Sequence, residues 1–244
     1  MAHPNFILNS HTLVIGGSSG MGFAVASASL ANGSKLQSLY PNAHISGTAA
    51  DLSCTDTLEV ALQTILDAAV KETGGPLDHI VYTAGDGVNP VPLAQMTAAG
   101  AISPLTIRYI GPLLVGKLVA ANPGKYLKPA TSSSITLTSG IMAHKPQPFV
   151  FTLGTGGAIE VLTRSLAVAL APIRVNVIVP GAVQTELIER ISARNPGAIG
   201  MIKAASLTKE IGSAEGAAEA YLFCMRSALA TGQSFIIDGG HLMT

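Results

Sequence analysis

Four glycines between a β-rich run and a helical pattern offer the first chemistry in the chain. Gly16, Gly17, Gly20 and Gly22 fall within IGGSSGMG, Ile15 to Gly22. Glycines at such a junction let backbone approach a pyrophosphate, and the helix that follows adds free N–H groups and a favourable dipole. A tight turn with close packing would also use glycine, but the strand before and the amphipathic helix after favour a nucleotide cradle. Further along, Ser139 follows the run SITLT, where a serine either caps backbone or meets a ligand. Arg108 puts a permanent cation on an apolar helical stretch, so it needs an ion-pair partner, solvent, or a pocket to point into. His144 and Lys145 lie in a proline-bearing loop and are expected to face solvent. Cys54 and Cys224 are far apart and lack metal-ligand spacing, so two buried thiols and no metal site are expected.

These residues need a frame to hold them, and the chain alternates short β-rich runs with helical patterns. That alternation predicts an α/β fold, a Rossmann-like doubly wound parallel sheet with helices on both faces, as one domain over residues 1–244. TLVI is a strand, followed by the glycine turn and a helix reaching Asn32-Gly33. HISGTAADL contains another strand, and Asp56 with Glu59 marks the start of the next helix. HIVYTAG is a strand and its exit. A helix then covers residues 102–119, with Pro104 and Pro112 disturbing its start and straightness. SITLT, a helix over 157–170, RVNVIV, two more helical stretches and SFIID complete the sheet. One place does not fit: no β-branched residue occurs between Val25 and Ile45. The second strand is missing from the pattern, and the chain is expected to be interrupted near Gly33 and Ser34.

The glycine spacing resembles T-G-x-x-x-G-x-G of the short-chain dehydrogenase/reductase family, with Ile15 at the threonine position. The resemblance continues through Asp51-Leu52, YTAG (Tyr82 to Gly85) in place of N-N-A-G, LTSG ending at Gly140, LTRSLA, IRVNVIVPG, Thr185 and IIDGG. It implies that Gly16, Ser18, Ser19, Gly20 and Met21 line the phosphates and that Asp51 and Leu52 contact adenine. Ala84 and Gly85 would pass beneath the adenosine ribose, and Pro180, Gly181, Val183 and Thr185 would meet the nicotinamide end.

The family's Asn-Ser-Tyr-Lys machinery is where the chain departs. Only Ser139 is retained; Thr152, Gly156 and Arg108 stand at the Tyr, Lys and Asn positions, and no tyrosine occurs between Ser139 and Tyr221. A threonine hydroxyl is far less acidic than a phenol of pKa about 10, so ordinary proton relay to a carbonyl is not expected. Losing one charged hydrogen bond to the ribose would cost about 1.5–3 kcal/mol and weaken cofactor binding without abolishing it. The GTGG run is expected to open space for a bulky substrate. Ser139 and Arg108 are left as the candidate catalytic residues.

Absence of the Tyr/Lys pair, with arginine at the Asn position, resembles fungal natural-product members, some of which act on alkaloid iminium intermediates. It implies an NADP(H)-dependent oxidoreductase acting on a small secondary metabolite. A non-redox cyclase or isomerase and a catalytically silent binding protein are the alternatives. From Phe23 to Ala50 there is no Asp or Glu, which favours NADP over NAD.

Lys+Arg and Asp+Glu number 14 each, so neither nucleic acid nor an anionic membrane is an expected partner. No signal peptide and no apolar run near the ~18 residues of a membrane span are read, and a cytoplasmic location is expected. With 48% hydrophobic and 11% charged residues, apolar faces should be buried between subunits, in a homodimer or homotetramer built on residues 113–119 and 158–170.

Overall fold

The computed structural model describes residues 7, 9–31, 46–85, 91–146 and 155–244. Five strands, β1 (Thr12–Ile15), β2 (His79–Tyr82), β3 (Ser134–Thr138), β4 (Arg174–Pro180) and β5 (Ser234–Ile237), form one parallel sheet in the order β1-β2-β3-β4-β5. The central strands are buried along their whole length in β2 and β4, as a sheet covered on both faces requires. Side chains alternate between two cores. Ile80, Tyr82, Val175 and Val177 face α2 (Thr55–Thr73), α4 (Gly111–Ala121) and α5 (Thr155–Ala169). Val81 and Ile178 face α1 (Gly20–Ala31) and α8 (Ala214–Arg226). The expected doubly wound α/β architecture is present.

The sheet ends at β1 among the described residues, whereas a Rossmann sheet continues through a second and a third strand. Residues 46–54, where a strand was expected in HISGTAADL, form none. The physical reason is that the third strand's neighbour is the second. Among the described residues no such partner is present, so its backbone groups have no ladder to join there, whatever the local pattern favours. The expected break near Gly33 and Ser34 lies outside the described residues. β1 keeps Thr12, Leu13 and Val14 only half-buried, and all three line a cavity.

Smaller expectations also change. α2 begins behind Cys54, just ahead of Asp56, which takes a place in its first turn. Cys54 is exposed on that turn, so the expectation of two buried thiols holds only for Cys224, whose thiol burial pushes up to about 12. After β4 come three helices, α6 (Glu186–Arg194), α7 (Ala198–Ala204) and α8, where two were expected.

The helix expected over 102–119 is three pieces. α3 (Ala98–Leu105), a π-helical turn (Thr106–Ile110) and α4 follow without a break. By length and composition this run is apolar enough to cross a bilayer, which counting uninterrupted apolar residues had missed. It nevertheless carries Arg108 and Lys117, and α4 packs on α2 and α5 within the domain.

Candidate active site

The turn after β1 has the geometry of a phosphate cradle. Gly16 has φ +95 and Gly20 φ +53, a backbone that side-chain-bearing residues rarely adopt. A Cβ on Gly16 would stand 2.5 Å from Ala84 N, so this glycine is what lets the two turns touch. Phe23 N–H closes the first helical bond, onto Ser19 O, leaving the N–H groups before it for a ligand at the positive end of α1. Ser18, Ser19, Gly20 and Met21 line the cavity here.

Arg108 is positioned by the slipped turn. Pro112 has no N–H to offer the Arg108 carbonyl, and the ladder shifts so that Gly111 N–H bonds Thr106 O. That shift strands the Ile107 carbonyl, which the Tyr82 hydroxyl takes up at 2.8 Å. Burial holds the Tyr82 phenol well above its ordinary range, with the nearby Arg108 charge offsetting a part. The guanidinium then lies over Gly85, where a Cβ would stand 3.0 Å from its central carbon. Arg108 therefore points into the cavity. Tyr82→Phe should leave the half-buried carbonyl unpaired and cost about 1–3 kcal/mol, a fall in Tm of about 3–10 °C. An unchanged Tm in thermal unfolding would show that the hydroxyl does not hold the turn.

Ser139 sits at the end of β3, its N–H bonded to Ile178 O at 2.8 Å. Its hydroxyl donates toward Gly156 O at 3.1 Å and Glu160 Oε1 at 3.3 Å. Glu160 is buried on α5 and also accepts from His144 Nε2 at 2.9 Å. His144 is exposed, as expected, while one ring nitrogen reaches in to this carboxylate. Lys145 bonds the main-chain oxygens of His241 and Thr244 at 3.0 and 2.8 Å, well apart from Ser139.

Gly156 does not simply open space. A Cβ there would meet Ser139 Oγ at 2.9 Å and Ala143 Cβ at 3.0 Å, so those two side chains already crowd the position. Thr152 lies outside the described residues. Glu160 went unrecognised in the sequence, although it is one helical turn beyond Gly156 and shares its face.

A single cavity of about 1680 Å³ joins these parts. It runs from the cradle past Ala84 and Gly85 to Arg108, Ser139, Pro180, Gly181, Val183 and Thr185, and along β1 to Leu52. Of the expected site residues only Asp51 is off this wall. Its carboxylate accepts from Ser53 N and Ser53 Oγ at 2.8 and 2.6 Å, bonds that lower its pKa and turn it away. Among the described residues no tyrosine or lysine lines the cavity; its basic side chains are Arg108, Arg190, Arg194, His11 and His241. The Tyr221 hydroxyl is engaged elsewhere with Thr138, and that of Tyr126 with Asp67. No cluster of metal-ligating side chains occurs among the described residues.

The parallel α/β sheet agrees with comparison to known proteins. Short-chain dehydrogenase/reductase ATR9 of Stachybotrys chlorohalonatus (strain IBT 40285) is 38% identical over 246 positions, covering 93% of this chain and 95% of that protein. Short-chain dehydrogenase/reductase malC of Malbranchea aurantiaca is 34% identical, covering 98% and 97%. Its 261 aligned positions take in 98% of a 244-residue chain, so roughly twenty of them fall opposite gaps here. The solved structure of MalC reductase/Diels-Alderase from that organism has a TM-score of 0.88 at 32% identity, covering 98% and 99%. A small-chain dehydrogenase solved in complex with NADPH has a TM-score of 0.79 at 29% identity, covering 97% and 100%. An SDR-like Rossmann domain model matches residues 29–244. The chain belongs to the short-chain dehydrogenase/reductase family.

Proposed function

We propose that the chain is an NADP(H)-dependent oxidoreductase of secondary metabolism whose electrophile is a cyclic iminium. One observation carries this reading: a continuous cavity joins the glycine cradle to Ser139 and Arg108, with neither tyrosine nor lysine on its described wall. When bound, the nicotinamide supplies the hydride. The protein's own part is to cradle the phosphates, to pass Ala84 and Gly85 beneath the ribose, and to hold Ser139 and Arg108 at the reacting end. An iminium becomes a neutral amine on reduction, so it asks for no proton donor where a ketone does. The fungal relatives support a role in natural-product chemistry.

Calorimetry should show NADPH binding more tightly than NADH, since no acidic residue stands between Phe23 and Ala50 to repel a 2′-phosphate. No heat with either nucleotide at millimolar concentration would remove the cofactor from the account. The second reading, a non-redox cyclase, is favoured by the cavity's size and by a relative named both reductase and Diels-Alderase. Product formed without loss of NADPH absorbance would select it.

The proposal extends to a homo-oligomer. Leu113 of α4 and Val161 and Val168 of α5 are exposed apolar side chains, Val168 by 81%. Light scattering is expected to give a multiple of 24.8 kDa, and only the 24.8 kDa species at micromolar concentration would contradict it.

A further inference from the structure

We propose that Glu160 reverses the polarity of Ser139, leaving its oxygen to face the cavity as a hydrogen-bond acceptor that selects an N–H cation over a neutral carbonyl. This rests on the reading of the cavity as a reductase site and names the chemistry its substrate must bring. A serine hydroxyl has one proton and two acceptor positions. Here the two nearest acceptors for that proton are both protein atoms, Gly156 O and Glu160 Oε1. Neither is on the wall of the main cavity, which Ser139 lines: Gly156 borders only a small recess beside Ser139, and Glu160 borders neither space. With the proton held inward, the lone pairs of Oγ point to the cavity. A carbonyl or oxyanion there would meet an oxygen with no proton to give, whereas an N–H group would find an acceptor.

Glu160 is held for this task from two sides. A buried carboxylate needs hydrogen-bond donors, and it has the Ser139 hydroxyl and His144 Nε2, both on Oε1. His144 comes from the turn after Ile141–Ala143 and reaches back to α5 with its ring partly exposed. The other charged group at this recess is Arg108, on the π-helical turn. Arg108 adds positive charge, so selection for a cation comes from hydrogen-bond polarity and not from net charge. Arg164, one turn beyond Glu160 on α5, is exposed. The chemistry balances without a proton step: hydride adds to the iminium carbon, and the C=N π pair becomes the nitrogen lone pair. Glu160 acts only through Ser139 and is a positioning residue.

The test uses the full chain loaded with NADP+ and two probes of similar size titrated calorimetrically to ten millimolar. One is protonated 1,2,3,4-tetrahydroisoquinoline, an N–H cation; the other is 1-tetralone, a neutral carbonyl. The unmodified protein should prefer the cation by about tenfold or more, the worth of a hydrogen bond involving charge. Glu160→Gln, whose amide can donate to Ser139, should bring the two probes to within about threefold of one another. Ser139→Ala should do the same, and Glu160→Asp should keep the cation preference. NADP+ affinity should be unchanged in both Glu160 variants, which separates altered polarity from a damaged fold. A cation preference that survives Glu160→Gln, a preference for tetralone in the unmodified protein, or binding of neither probe while NADP+ binds would overturn the inference. Failure to bind NADP+ would instead contradict the reductase reading beneath it.

Discussion

Gly16→Val is expected to abolish NADPH binding, with a loss of affinity above about a hundredfold. Two independent costs converge on this position. The φ of +95 excludes a β-branched side chain without strain of about 1–3 kcal/mol. The first added carbon would also stand 2.5 Å from Ala84 N and 2.8 Å from Thr83 Oγ1, which are backbone and a held side chain with no room to yield. Relief requires the cradle to lift away from the turn after β2, and that movement displaces the phosphate and ribose contacts together. At about 1.4 kcal/mol per decade, even the strain and one lost contact account for a hundredfold. Gly157→Ala is the control, because a Cβ there meets nothing within 4 Å. Calorimetry with circular dichroism checks both variants. A Gly16→Val protein with native spectrum and undiminished NADPH affinity would refute the cradle.

The five strands were legible because each carries its own apolar run and its turn or helix signal, from TLVI to SFIID. The glycine turn, Ser139 and the PG turn after β4 were legible because their spacing is local. What escaped depends on contacts between distant elements. HISGTAADL has a strand's composition, but a strand exists only beside another, and no partner for it occurs among the described residues. Pro104 and Pro112 announced trouble in the long helix without saying what form it would take. The slip into a π-turn is completed by Tyr82, a residue 25 positions before the carbonyl it satisfies. Gly156 read as empty space, yet α5 packs there against Ser139 and Ala143. Glu160 and His144 are 16 residues apart and meet only because the turn after β3 folds back over α5. Asp51 turned to its own neighbour Ser53, a local capping that a family pattern does not reveal.

The central claim is that this cavity delivers hydride to a cation and not to a ketone. A ketone becomes an alkoxide as hydride arrives and needs a positioned acid, a contribution worth about 10²–10⁴ in rate. Neither candidate at the reacting end replaces the phenol: Ser139 donates inward, and the Arg108 guanidinium offers charge and hydrogen bonds in place of a transferable proton. An iminium needs only an oriented hydride donor, so its reduction loses nothing by the change. Restoring one family residue should not recover ketone activity, since Gly156→Lys forces the Ser139 hydroxyl from its place. The measurement is a single-turnover reaction with NADPH carrying deuterium at the transferred position, offered a cyclic iminium and a ketone of the same size. Deuterium should appear at the former iminium carbon, at a rate at least about a hundredfold above that for the ketone. Efficient deuterium transfer to the ketone with none to the iminium would contradict the account.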